Sequence, residues 1–244
     1  MTSLPADIDV EVRKAVQRFW MTRVSQARAQ GASTGVRDAG ARAAVTGGAQ
    51  MDGFADLITE ALNHAGVSKA HIYHKKRLEL PGWYRAEKKW DLIVVAGGKF
   101  AAGIELKSQV GPSFGNNFNN RAEEAIGSAT DIWAAYREGA FAPSPRPWLG
   151  YLMLLENSPK STRPVKVLQP HFAVFPEFSG ASYATRYELL LTKLVRERLY
   201  DSACLLLSSR NSGESGEYEE PSTELAFRRL LASLVSQARA ITTA

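Results

Sequence analysis

The segment Trp90-Asp91-Leu92-Ile93-Val94-Val95-Ala96-Gly97-Gly98-Lys99-Phe100-Ala101-Ala102-Gly103-Ile104-Glu105-Leu106-Lys107-Ser108 decides the fold. Two apolar, β-prone runs flank a Gly-Gly pair, the pattern of a hairpin closed by a two-residue turn. Away from the turn, Asp91, Glu105 and Lys107 interrupt these runs with charge, and buried charge is costly unless something compensates it. Residues two apart in a strand face the same side. Glu105 and Lys107 therefore project together, Leu106 turns to the opposite face, and the hairpin brings Asp91 alongside.

Two converging carboxylates make a seat for a hard cation. Mg²⁺ typically takes one or two carboxylates, keeps waters and accepts a phosphate oxygen. Hydrolysis of a phosphodiester calls for a barrier reduction on the order of 20 kcal/mol, beyond one general base. A metal supplies a large part of it, and Lys107 can orient the nucleophile and stabilise the pentavalent phosphorus. The pattern is that of a metal-dependent nuclease of the PD-(D/E)xK kind, with Asp91, Glu105 and Lys107 as its catalytic residues. Trp90 stands where that name places proline. The plainer alternative is a surface hairpin with a cross-strand ion pair. Glu87-Lys88-Lys89 repeats the acid-x-Lys pattern, but in a polar run with no acid at hairpin distance upstream.

Upstream, Ile8, Val12, Val16, Phe19, Trp20, Val24 and Ala27 recur at helical spacing. The stretch 31–50, rich in Gly, Ala, Ser and Thr, reads as a long mobile loop. Asp52 is expected to cap a helix striped by Phe54, Leu57, Ile58, Ala61 and Leu62 and stopped by Gly66. Downstream, the Asn-rich stretch 111–120 reads as a loop and 121–136 as a helix. Strands are expected over 149–155, 172–175 and 203–207, a helix over 183–199, and a last helix capped by Ser222. The whole makes a single α/β domain over residues 1–244, a mixed central sheet flanked by helices with the charged hairpin at the edge of a cleft.

The chain has 244 residues, 45% hydrophobic and 23% charged, values that exclude wholesale disorder and a membrane protein. No apolar run approaches the ~20 residues that cross a bilayer, and Met1 to Asp9 lacks the basic and apolar segments of a secretory signal, so a cytoplasmic protein is expected. One cysteine, Cys204, lies in an apolar run and reads as core. The net charge of +5 is a weak hint of a polyanionic partner. Its distribution says more: Lys69, Lys75, Lys76, Arg77, Arg85, Lys88 and Lys89 crowd one stretch with Trp83, Tyr84 and Trp90 between them. From this stretch Lys75, Lys76, Arg77, Lys88 and Lys89 are expected on phosphates, where they give affinity and salt dependence. His71 and His74 would face opposite sides of a strand and lack a third ligand.

The run from Lys107 through Ser108-Gln109-Val110-Gly111-Pro112-Ser113-Phe114-Gly115-Asn116-Asn117-Phe118-Asn119-Asn120-Arg121 to Asp131, with Trp133 to Gly139, resembles the XhoI-type type II restriction endonucleases. The likeness is densest from Trp90 to Phe141. It implies a restriction-endonuclease-like core and a homodimer that uses Mg²⁺ to cut the palindrome 5′-CTCGAG-3′ after its first cytosine. It also implies a companion DNA methyltransferase in the same system. The metal positions are then Asp91, Glu105 and Leu106. A carboxylate on a neighbouring helix often completes the shell in this superfamily, which makes Glu60 a further candidate, against the alternative of an ordinary solvated glutamate. Asn and Gln pair with adenine edges, Arg with guanine and Ser with either, so Gln109, Ser113, Asn116, Asn117, Asn119, Asn120 and Arg121 form a suitable reading set. The commoner use of such residues is to build turns. Two other functions fit the same residues: a repair or junction-resolving nuclease, and a DNA-binding protein with an inactive core.

Overall fold

The computed structural model describes residues 7–34 and 49–242. Helix α1 (Ile8–Thr34) buries Ile8, Val12, Val16, Phe19 and Trp20. It continues past Gly31, where a loop is expected. A single glycine costs a helix only about 1 kcal/mol relative to alanine, and Ala29 and Ala32 favour the helix, so loss of the apolar period does not end it. Positions 35–48 of the expected loop lie outside the described residues, and its last residues enter a short 3₁₀ turn (Ala49–Met51). That turn leads straight into α2 (Asp52–His64), so Met51 is already helical at the N-cap position and Asp52 is the first helical residue, capping nothing. Gly66, at φ +96°, ends α2 as expected, with the Val67 N–H donating to the Leu62 carbonyl.

Short β1 (Ile72–Tyr73) precedes a two-stranded flap, β2 (Glu79–Pro81) and β3 (Glu87–Lys89). The hairpin follows as β4 (Leu92–Ala96) and β5 (Lys99–Gln109), joined at Gly97 and Gly98 with φ +55° and +74°. Both glycines occupy the left-handed region that side chains resist. Leu92 pairs with Ile104 and Val94 with Ala102; then the register shifts so that Val95 meets Phe100, leaving Ala101 as an extra residue in β5. Next come α3 (Phe114–Arg137), β6 (Trp148–Glu156), α4 (Pro159–Thr162), α5 (Tyr183–Arg196), β7 (Ser202–Ser208), α6 (Arg210–Gly213) and α7 (Phe227–Thr242).

Among the described residues the main sheet runs β1-β4-β5-β6-β7, antiparallel from β1 to β5 and parallel from β5 to β7. One face, with Leu92, Val94, Ile104, Leu106, Leu152 and Cys204, packs on α1, α2 and α7. The other, with Ile93, Tyr151, Met153 and Leu205, packs on α3 and α5. This is the expected mixed α/β core. Three further local expectations fail for physical reasons. Helix α3 begins at Phe114 because Phe114 stacks on Tyr183 (6.0 Å) and Phe118 meets Tyr187 edge-on (5.0 Å), an i,i+4 pair that overrides the weak helix propensity of the asparagines. Residues 172–175, between Pro170 and Pro176, form no strand. Among the described residues they pair with no strand, and the Val174 N–H turns to the Gln169 side chain. Ser222 precedes a short 3₁₀ turn (Thr223–Leu225) and makes no side-chain cap; the first N–H of α7, at Phe227, donates to Glu220 (2.8 Å).

The hairpin turn sets the register that aligns Asp91 with Glu105. Gly98→Val is expected to lower the unfolding free energy by about 1–2 kcal/mol, the cost of a left-handed β-branched residue, measured by urea denaturation.

Candidate active site

Asp91 lies one residue before β4, and continuing the Leu92–Ile104 pairing sets it opposite Glu105. The strand alternation does the rest. Leu106 is buried on the α1–α2–α7 face, while Glu105 and Lys107 share the α3–α5 face. The Lys107 ammonium is 2.6 Å from Asp91 Oδ2 and 2.5 Å from Glu105 Oε2, so both carboxylates converge on one cation. The Leu106 N–H donates to Asp91 Oδ2 (2.8 Å), fixing that carboxylate from the backbone. Leu106 has no side-chain oxygen, so as a metal position it could offer only its carbonyl.

Glu105 is 1% exposed, and its second oxygen, Oε1, is in direct contact with the Lys88 ammonium. Burial pushes its carboxyl up, but Lys107 and Lys88 together outweigh burial and hold it below the usual carboxylate range. For Asp91 burial wins and the carboxyl is raised, Lys107 compensating only in part. Burial works against the Lys107 charge, yet Glu105 and Asp91 outweigh it and push its pKa above the ordinary lysine value. The ammonium is thus a fixed positive charge and a hydrogen-bond donor at neutral pH, and it has no lone pair to act as a base.

A cleft of about 840 Å³ opens over Glu105 and Lys107, walled by Tyr84, Arg85 and Lys88 on one side and α3 on the other. Asp131 of α3, buried among its wall residues, latches the flap. Its carboxylate accepts the Trp83 and Tyr84 N–H groups (both 2.8 Å) and the Arg85 guanidinium (2.6 Å). Trp83 and Tyr84 stand exposed at the flap tip. Tyr151, opposite Glu105 in the β5–β6 register, also lines the cleft, and among the described residues its buried hydroxyl has no hydrogen-bond partner. A second recess, on the Asp91 side, is lined by Gln50, Asp52, Lys75, Lys89 and Arg121.

Glu60 does not join this group: it is exposed on α2, pairs with Lys69 (2.5 Å), and the α2 acid at the Asp91 recess is Asp52, from the first helical turn. Lys88 is not a solvated phosphate contact, since Glu105 holds it. Gln109 does not present its amide to a ligand: it is 3% exposed, its nitrogen donates to the Phe114 carbonyl (2.9 Å) and its oxygen accepts from Tyr187. Ser113, Asn116, Asn119 and Asn120 are exposed along the start of α3, with Asn117 half-buried. Arg121, paired with Glu124, borders both the cleft and the recess. Lys75, Lys76, Arg77 and Lys89 are exposed. His74 lies 3.6 Å from Asp56.

Asp131, Tyr151, Asp52 and the true place of Lys88 escape a reading of the sequence. Two of them leave a trace: a tyrosine inside the apolar run of β6, and an acid on the apolar stripe of α3. Among the described residues no trio of His, Cys, Asp and Glu side chains is gathered for a metal. A cation would therefore rest on two carboxylates, with backbone, water and phosphate oxygens completing its shell, a donor set suited to Mg²⁺. The two carboxylates already converge on a positive charge, so they fit such an ion.

A family model described as restriction endonuclease XhoI matches residues 30–220. The type II restriction enzyme BstVI of Geobacillus stearothermophilus is 56% identical over 205 residues, covering 82% of this chain and 92% of that protein. The type II restriction enzyme XhoI of Xanthomonas vasicola is 47% identical over 197 residues, 78% of this chain and 76% of that protein. AbrI of Azospirillum brasilense, also a type II restriction enzyme, is 46% identical over 168 residues, 68% and 75% of the two chains. No solved structure matches the chain.

The latch yields a prediction. Asp131→Ala removes three hydrogen bonds to a carboxylate, each worth on the order of 1.5–3 kcal/mol in such settings. Trypsin cleavage after Arg85 should accelerate roughly tenfold or more, read by mass spectrometry of limited digests.

Proposed function

The chain belongs to the XhoI family of type II restriction enzymes, and from that membership we propose that it makes divalent-metal-dependent double-strand cuts in DNA at the palindrome CTCGAG, after the first cytosine. The observation that carries the catalytic part is the convergence of Asp91 and Glu105 on the Lys107 ammonium. The specificity is what the resemblance implies, supported by the two relatives named BstVI and XhoI that share about half of their aligned residues with this chain.

Asp91 and Glu105 are the residues that would hold Mg²⁺. When bound, the ion supplies a Lewis acid for the phosphate and acidifies a water molecule. Asp91 is oriented for this by the Leu106 N–H, and Glu105 by its burial in β5, so neither carboxylate has to reorganise. Lys107, held charged by both, donates a hydrogen bond toward the attacking water and offsets charge that builds on the phosphorus oxygens. Lys75, Lys76, Arg77 and Lys89 hold the backbone through charge. Ser113, just before α3, and Asn116, Asn117, Asn119, Asn120 and Arg121 within it are the residues available to read base edges.

A palindrome is two-fold symmetric, and a homodimer places one hairpin on each strand. An enzyme cutting a six-base site also endangers its own cell's DNA, which calls for a methyltransferase acting on the same site. In the described residues no helix is long and apolar enough to cross a membrane.

Asp91→Asn and Glu105→Gln each remove a ligand charge with little change of shape. Both should lose cleavage of a CTCGAG duplex by roughly a thousandfold or more while still binding it in gel-shift assays. Cleavage near the wild-type rate in either variant contradicts the assignment. A chelator should abolish cutting, and added Mg²⁺ should restore it. The triple variant Lys75→Ala, Lys76→Ala, Arg77→Ala should weaken binding to all duplexes alike. The slope of log K against log salt should become shallower by about 0.9 for each phosphate no longer neutralised.

A further inference from the structure

Glu105 carries two lysines where the catalytic pattern needs one. Lys107 is bound to the site by position, two residues along β5, and by its second partner Asp91. Lys88 comes from elsewhere. It projects from β3 of the flap, which forms its own two-stranded sheet, and its ammonium lies 4.7 Å above the Trp90 ring in contact with Glu105 Oε1.

With both lysines present, the two carboxylates are matched by two positive charges and the cluster is neutral. A divalent cation entering that cluster would meet two ammonium groups and a Glu105 with both oxygens engaged. Like charges at such distances are strongly disfavoured in a buried setting, so one lysine has to leave. Lys88 is the one able to do so: its flexible stem starts on the flap and borders the 840 Å³ cleft, whereas Lys107 keeps Asp91.

Resting on the metal-site reading above, we propose that Lys88 is a displaceable counter-ion. It neutralises Glu105 while no metal is bound, and the incoming divalent cation ejects it into the cleft, where a second ammonium then faces the DNA phosphate. Metal loading and phosphate capture are thereby coupled through one side chain, and the metal-free protein avoids an uncompensated buried carboxylate. The Glu87-Lys88-Lys89 stretch repeats the acid-x-Lys pattern in its sequence, yet it is the middle residue, Lys88, and not the pattern's lysine, Lys89, that enters the cluster.

The test uses DNA-free protein, so turnover plays no part. Mn²⁺ is titrated into wild type, Lys88→Met, Lys88→Arg and Glu105→Gln, with free ion counted from its electron paramagnetic resonance signal. Methionine keeps an apolar stem over Trp90 and removes the charge. Lys88→Met should bind Mn²⁺ about tenfold more tightly than wild type, the direction opposite to that of a residue that merely supports the site. Lys88→Arg should stay within a few-fold of wild type. Titration with Mg²⁺ should change the tryptophan fluorescence of wild type as the ammonium leaves the Trp90 face, and the change should vanish in Lys88→Met and in Trp90→Phe. Unchanged or weaker Mn²⁺ binding by Lys88→Met, with Glu105→Gln losing it, overturns the exchange and leaves the metal site standing. Binding by Glu105→Gln equal to wild type overturns the metal site and the exchange together.

Discussion

A carboxylate with almost no access to water, Glu105, sits in the central strand of the sheet, and much of the local architecture answers the cost of putting it there. Isolated, such a charge would take up a proton instead. It stays ionised because Lys107 arrives from the same strand and Lys88 from the flap, while Asp91 gives Lys107 a second partner. The compensation is provided by two lysine ammonium groups, whose positive charge the proposed metal ion would take over in part. A hydrophobic isostere at this position would suit a purely structural strand equally well or better, so the arrangement makes physical sense as a poised site.

Topology explains why the charges meet here. The sheet changes from antiparallel to parallel at β5, so this strand has the hairpin on one side and the parallel β6 on the other. One face of β5 is spent on the apolar layer under α1, α2 and α7; the other opens to a cleft roofed by the flap and α3. Asp131 ties those two roof elements together through three donors, so the position of Lys88 depends indirectly on an acid in the middle of α3.

The hairpin, its turn and the convergence of Asp91, Glu105 and Lys107 were legible because they rest on short-range rules: alternation by two, a Gly-Gly turn and charges where apolar residues are expected. The parts that were not legible depend on partners distant in sequence. Gln109 looked like a base reader until Tyr187 and the Phe114 carbonyl closed over its amide. The asparagines after Ser113 looked like a loop because propensity is local, whereas Phe114 and Phe118 are held by α5. Glu60 and Asp52 lie on the same helix, and which of them reaches the hairpin depends on how that helix docks, which periodicity leaves open. Lys88 is the sharpest instance: the sequence identifies a basic stretch, but nothing in it says that one lysine folds inward onto an acid seventeen positions away.

The central claim is that Asp91, Glu105 and Lys107 form the seat of a metal-dependent, site-specific cut. The most direct measurement is digestion of a long duplex of known sequence by wild type and by Glu105→Gln, with Mg²⁺ and with chelator, mapping every end produced. The account predicts Mg²⁺-dependent ends confined to CTCGAG, one after the first cytosine of each strand, and none from Glu105→Gln. Ends scattered through the duplex, or the same ends from Glu105→Gln, would contradict it.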